Sequence, residues 1–188
     1  MNILCLWWGI LSPAILYPTA LALLRQGLTR FIGPDAASLI CPVLLLPVIL
    51  IRCKKRLQTH GNMTFKMFLQ WAAVTAVLIL SNALLFPGSV SWPDHLLALA
   101  VLSSIVCAPI CEEMIYRELV LGRSETAFGS TAAVVLSAAV FGAVHTGWSA
   151  ALMSAAVGLL LGWMRLHFHT LLAPIATHIM LNLTAFIL

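Results

Sequence analysis

Three short clusters of ionisable and hydrogen-bonding residues lie on otherwise apolar stretches in the second half of the chain: Glu112-Glu113 with Arg117, Phe141 with His145, and His178 with Asn182. Glu113 and Arg117 are four residues apart with the acid first, the favourable order for an ion pair along a helix. Arg117 can therefore hold Glu113 ionised, whereas Glu112, about 100° further round, has no local partner. A carboxylate placed like Glu112 can take a proton from water. Phe141 and His145 share a helix face, and His145 is the only ionisable side chain between Glu125 and Arg165. His178 and Asn182, also four apart, stand about 6 Å from each other along a helix axis. Both can donate hydrogen bonds, as the oxyanion formed when water attacks an amide carbonyl requires. Any one cluster is also what helix packing and interhelical hydrogen bonding produce. Together they contain a base, a histidine to share or orient the proton, and anion-stabilising donors, which are the parts of amide hydrolysis.

The elements that must position these residues are membrane helices. Of 188 residues, 62% are hydrophobic and 9% charged, and the mean hydropathy is +1.04. A soluble domain of this size needs far more polar surface, so lipid is the expected solvent. Crossing the hydrocarbon layer takes about 20 mostly apolar residues. Stretches of that kind run from Ile3 to Leu24, Met67 to Phe86, Leu96 to Tyr116, Trp148 to Met164 and Leu171 to Leu188. Ala36 to Ile51 and Thr131 to His145 are apolar but short, and are expected to tilt or to span incompletely. The fold class is thus all-α, a polytopic transmembrane bundle of about seven segments. An ionisable side chain at the centre of such a segment costs on the order of 3 kcal/mol, so it pairs or lines a polar cavity.

The net charge of +4 does not point to nucleic acid. Arg52, Lys54, Lys55, Arg56 and Lys66 fall together between the second and third segments, where a cytoplasmic loop facing lipid headgroups would carry them. Strict alternation then leaves Pro87 to Asp94 outside without Lys or Arg. It places Arg117, Arg123 and Arg165 inside and the N-terminus in the cytoplasm, while Arg25 and Arg30 run against it. No basic residue precedes Arg25, so the first segment reads as a retained helix, kinked near Pro13 and Pro18, and not as a secretory signal. Cys5, Cys41, Cys53, Cys107 and Cys111 have no metal-type spacing and read as small apolar residues.

No linker or repeat divides the chain, which reads as one integral-membrane domain over 1–188, with N-terminal helices in 1–95 and the three clusters in 96–188. Arg52 to Lys66 and Glu118 to Ser130 are the most polar connections. Gly158 and Gly162 form a small-xxx-small pair that lets another helix approach closely.

The motifs Glu112-Glu113-x-x-x-Arg117, Phe141-x-x-x-His145 and His178-x-x-x-Asn182, in that order on successive segments, resemble the CPBP or Abi group of intramembrane proteases, which includes the CAAX prenyl endopeptidases. The resemblance covers Glu112 to Asn182. It implies that Glu112 activates water together with His145, that His178 and Asn182 stabilise the oxyanion, and that Glu113, Arg117 and Phe141 support them. It implies a glutamic-type mechanism without cofactor, zinc on Glu112, His145 and His178 being the alternative. His167 and His169 are a further conceivable ligand pair, better explained by headgroup or loop contacts. Where many relatives have a glycine after the arginine, Glu118 stands here. The expected substrate is a membrane-delivered peptide or protein cut near its C-terminus: CAAX-type processing, bacteriocin maturation or trimming of a sorting tail. Partners are membrane lipids and that substrate, with no nucleic acid, and the expected location is a bacterial inner membrane. A proton-coupled transporter or channel using the same Glu/His cluster is the competing class.

Overall fold

The computed structural model describes residues 3–57, 63–85 and 92–187. Among them seven helices follow one another: α1 (Ile3–Ile32), α2 (Pro34–Leu57), α3 (Phe65–Leu85), α4 (Asp94–Phe128), α5 (Ser130–Ala143), α6 (Trp148–His167) and α7 (Leu172–Ile187). No strand occurs among the described residues, and the fold is an all-α bundle. Four helices, α1, α2, α4 and α6, are long and apolar enough to cross a membrane. The connections are made where the backbone must reverse sharply. Gly33, Gly129 and Gly147 carry φ near +80° to +88°, a region that lacks a steric penalty only for glycine, and each separates two helices.

Several boundaries differ from the sequence expectation. The fourth segment does not stop at Tyr116 but runs to Phe128, so Glu118 to Phe128 is helix and only Gly129 interrupts the passage into α5. Glu112 therefore sits near the middle of a 35-residue helix and not at its end. With α4 ending at Tyr116, strict alternation would put Glu112 near the inner face and His145 toward the outer end of its segment; the longer α4 removes that separation. The second segment is longer than expected, and Arg52 lies on its last helical turns rather than in a loop. Residues 58–62 of the expected basic loop lie outside the described residues, as do Phe86 and the stretch from Pro87 to Ser91, the side chains of Lys54, Lys55 and Arg56, and Leu188.

The arginines that alternation assigns to the inner face are engaged with the protein itself. Arg117 is fully buried, Arg165 pairs with Glu118 at 2.9 Å, and an Arg123 Nη donates to the Gly9 carbonyl. All three basic residues assigned to the inner face hold helices together, and the buried Arg117 guanidinium cannot reach a lipid headgroup.

Two packing features set the positions of the clusters. Ile10, Ala14 and Tyr17, spaced to fall on one face of α1, pack on Cys111, Ile115, Tyr116 and Val120 of α4 and on Phe141 of α5. The α5–α6 contact is closer still, because glycines replace side chains along it. A Cβ on Gly158 would lie 3.1 Å from Ala138 Cα and 3.3 Å from the Phe141 ring, and one on Gly142 would lie 2.6 Å from the Ala151 carbonyl oxygen. The small pair in α6 is thus where α5 approaches, as its spacing suggested. On the far side, Trp71 Nε1 of α3 donates to Thr177 Oγ1 at 2.9 Å, and Thr75 and Thr177 hydroxyls bond at 2.8 Å, which fixes α7 against α3. Four of the five cysteines are buried and all are free.

Gly142→Ala should lower stability by about 1–3 kcal/mol, since backbone must shift to admit the methyl group. Gly27→Ala, which meets nothing within 4 Å, should not. Thermal unfolding midpoints in detergent compare the two, and equal midpoints would show that α5–α6 contact is not limiting.

Candidate active site

Helix α4 is not uniformly α-helical around the acids. Two stretches of wide turns, Val101–Cys107 and Met114–Leu121, flank a short α-helical stretch, Ala108–Glu113, that carries both glutamates. Wide (π) turns are uncommon, cluster at functional sites, and leave backbone carbonyls without their usual donors. Here neighbouring helices supply the donors. Ser137 Oγ of α5 donates to the Tyr116 carbonyl at 2.7 Å, and Asn182 Nδ2 of α7 donates to the Ser104 carbonyl at 2.8 Å.

Glu113 and Arg117 form the ion pair that their spacing suggests, Nε to Oε2 at 3.0 Å, with both side chains fully buried. Arg117 Nη1 donates to Ser137 Oγ at 3.1 Å, and the guanidinium carbon stands 4.9 Å from the Phe141 ring centre, within cation–π range. The other carboxylate oxygen of Glu113 accepts a hydrogen bond from His178 Nδ1 at 2.9 Å. Both oxygens of Glu113 are thus spent on structure. Glu112 differs: its side chain is 23% exposed, and its Oε2 lies 3.8 Å from His178 Nε2.

Each histidine has its tautomer set by a fixed acceptor. The α5 helix ends at Ala143, and the His145 amide donates to the Gly142 carbonyl, one residue short of the regular partner. The Phe141 carbonyl so released is met by His145 Nδ1 at 2.8 Å. A carbonyl only accepts, so Nδ1 carries the proton and, in the neutral ring, Nε2 offers a lone pair. This also explains the Phe-x-x-x-His spacing, since residue i supplies both the carbonyl that orients the imidazole and a ring 4.8 Å away. In His178 the Glu113 carboxylate takes Nδ1–H, leaving Nε2 toward Glu112. It can donate there only when the ring is doubly protonated.

Phe141 is where these elements meet: its ring lies edge-on to Tyr116 at 5.0 Å and to His178 at 5.9 Å. His145 and His178 both lie within electrostatic range of the Glu112 carboxylate. Glu112, Glu113, Arg117, Phe141, His145 and His178 therefore converge, and Asn182, one turn beyond His178 on α7, faces α4 through Ser104. Among the described residues no group of three or more His, Cys, Asp or Glu is arranged to hold a metal ion. The pair His167 and His169 is exposed and elsewhere: His167 stacks on Trp163 at 4.6 Å and faces Gln70 at 3.4 Å. Glu118 introduces no turn after Arg117; its carboxylate accepts from Arg165 of α6.

Residues 94–184 match the family model described as Type II CAAX prenyl endopeptidase Rce1-like. The matched stretch, 91 of 188 residues, is similar to an Rce1-like domain. It comprises α4 to α7 almost to the end of the chain, and holds every residue of the convergent cluster. The family is a protease family, the one to which the three motifs pointed, and the match supports peptidase activity in general terms. No curated protein and no solved structure matches the chain. Helices α1 to α3 lie outside the matched residues, yet Tyr17 of α1 and Trp71 of α3 pack directly against the Rce1-like domain.

Sequence reasoning did not single out Ser104 or Ser137, and gave Arg165 only a place on the inner face. A lone serine in an apolar helix looks like packing, and only the wide turns of α4 reveal the carbonyls that Ser137 and Asn182 must satisfy.

Arg117→Met should destabilise by about 3–5 kcal/mol, because it strands the buried Glu113 carboxylate. The double variant Glu113→Gln/Arg117→Met removes both charges and should unfold at a higher temperature than Arg117→Met alone. An equal or lower midpoint for the double variant would show that the pair is not held by charge compensation.

Proposed function

We propose that the chain is an intramembrane endopeptidase that hydrolyses a peptide bond of a membrane-delivered substrate with water activated by Glu112 and His145. The observation that carries this reading is the contrast between the two acids. Glu113 is fully buried with both oxygens engaged, whereas the neighbouring Glu112 retains exposure, with the His178 ring at 3.8 Å and His145 within electrostatic range. A carboxylate that water can reach, beside a histidine whose Nε2 lone pair is presented by a fixed tautomer, is suited to remove a proton as water attacks a carbonyl carbon. Glu112 takes the proton from water as its oxygen bonds to the carbonyl carbon. His178, doubly protonated between Glu112 and Glu113, donates from Nε2 to the oxygen that becomes negative, and an amide hydrogen of Asn182 joins it. Collapse of the tetrahedral intermediate breaks the C–N bond, and the proton passes to the leaving amine through His145.

No cofactor takes part in this scheme. The substrate we propose carries an apolar, membrane-associated C-terminal segment, as in CAAX-type processing, bacteriocin maturation or removal of a sorting tail. The proposed setting is a bacterial inner membrane with the N-terminus in the cytoplasm. Glu112→Gln and His145→Ala should each lower the turnover of a C-terminal membrane peptide by about 10²-fold or more at an unchanged unfolding midpoint. A chelator should leave the unaltered protein active. Loss of activity on chelation, restored by zinc, would replace the glutamic scheme by a metal-dependent one. Dissipation of a pH gradient in liposomes with no peptide cut would favour transport instead.

A further inference from the structure

The hydrogen bond between Asn182 and Ser104 depends on a gap in the α4 ladder that a proline creates. At the end of the first wide stretch the Ala108 amide donates to the Ser103 carbonyl, five residues back. One residue on, the same register assigns the Ser104 carbonyl to the amide of residue 109. That residue is Pro109, which has no amide hydrogen. An unmet carbonyl inside a bundle costs about 1–3 kcal/mol, so it must find another donor. Asn182 Nδ2 meets it at 2.8 Å from a helix 78 residues away in sequence.

Resting on the hydrolase reading above, we infer that Pro109 and the Ser104 carbonyl are positioning elements that fix the Asn182 carboxamide for oxyanion stabilisation. The chemistry turns on which end of the carboxamide faces the site. A carboxamide can rotate to present either its oxygen or its NH2 group, and an oxygen next to a developing oxyanion would repel it. The Ser104 carbonyl can only accept, so it holds the nitrogen end in place. One amide hydrogen goes to Ser104 and the second is left for the substrate oxygen. Pro109 is buried three residues before Glu112, so the residue that opens the acceptor also lies on the segment bearing the base. Helix α4 thus orients both α7 donors, His178 through Glu113 and Asn182 through Ser104.

Restoring an amide at position 109 gives Ser104 an intrahelical donor in competition with Asn182. Four full-length proteins test this: unaltered, Pro109→Ala, Asn182→Ala, and the double variant, each assayed for cleavage of a membrane peptide in detergent with unfolding midpoints recorded. Asn182→Ala should lower kcat by about 10²-fold. Pro109→Ala should lower kcat by about tenfold through misplacement of the carboxamide, with KM within about twofold and no fall in midpoint. The double variant should match Asn182→Ala. Pro109→Ser restores the same amide and replaces the alanine variant if that protein does not fold. The inference is overturned if the proline substitution leaves kcat unchanged, or lowers it equally in both backgrounds. It is also overturned if the substitution raises the activity of Asn182→Ala, which would make Asn182 a strut whose loss only strands a carbonyl. Full activity in Asn182→Ala removes Asn182 from the mechanism while leaving Glu112 and His145 in place. Absence of cleavage by the unaltered protein rejects the hydrolase reading, and this inference with it.

Discussion

A guanidinium without access to water must be neutralised where it stands, and Arg117 is such a group. Its needs organise the second half of the molecule. Nε faces Glu113 on its own helix, Nη1 reaches Ser137 on α5, and the charge lies over the Phe141 ring. Glu113, kept ionised by that contact, has one oxygen left to fix His178 on α7. Three helices are thereby held in register by one charge pair, and the cost of burying it is offset only if all of these contacts form together. Loss of any member leaves a polar group stranded in apolar surroundings, so the arrangement tolerates little slippage of α5 or α7 against α4.

The second organising device is the broken ladder. Regular membrane helices satisfy their own backbones, which leaves nothing for side chains on neighbours to grip. In α4 and at the end of α5 that regularity fails at Ser104, Tyr116 and Phe141, whose carbonyls are met by Asn182, Ser137 and His145. Two of the three donors belong to the clusters that suggested chemistry. The backbone defects therefore serve as anchors that give a carboxamide and an imidazole one orientation each.

The sequence made legible what depends on one helix at a time. Four-residue spacing placed Glu113 against Arg117 and His145 over Phe141, and the small pair Gly158 and Gly162 marked where a neighbour comes close. The all-α class followed from hydropathy alone. Features that depend on how the ladder departs from 3.6 residues per turn were not legible. The angular offset of about 100° between Glu112 and Glu113 assumed a regular helix. Both acids lie on the α-helical stretch between the wide turns, yet both face the same imidazole, one at each nitrogen, a meeting across helices that spacing along α4 does not show. The end of α4 was also misplaced, because Glu118 and Arg123 look like interfacial residues until their partners on α6 and α1 are known.

Helices α1 to α3, which lie outside the Rce1-like match, share in fixing the cluster. Tyr17 packs where Cys111 and Tyr116 flank the two acids, closing that side of α4 against lipid. On the opposite side Trp71 and Thr75 bond to Thr177, the residue immediately before His178. A hydroxyl held by an indole N–H and a second hydroxyl cannot turn without breaking both bonds, so α7 has one rotation about its axis open to it. That rotation points His178 at Glu113 and Asn182 at Ser104. The N-terminal helices therefore complete the geometry from outside, by denying α4 and α7 the alternatives that apolar contact alone would permit.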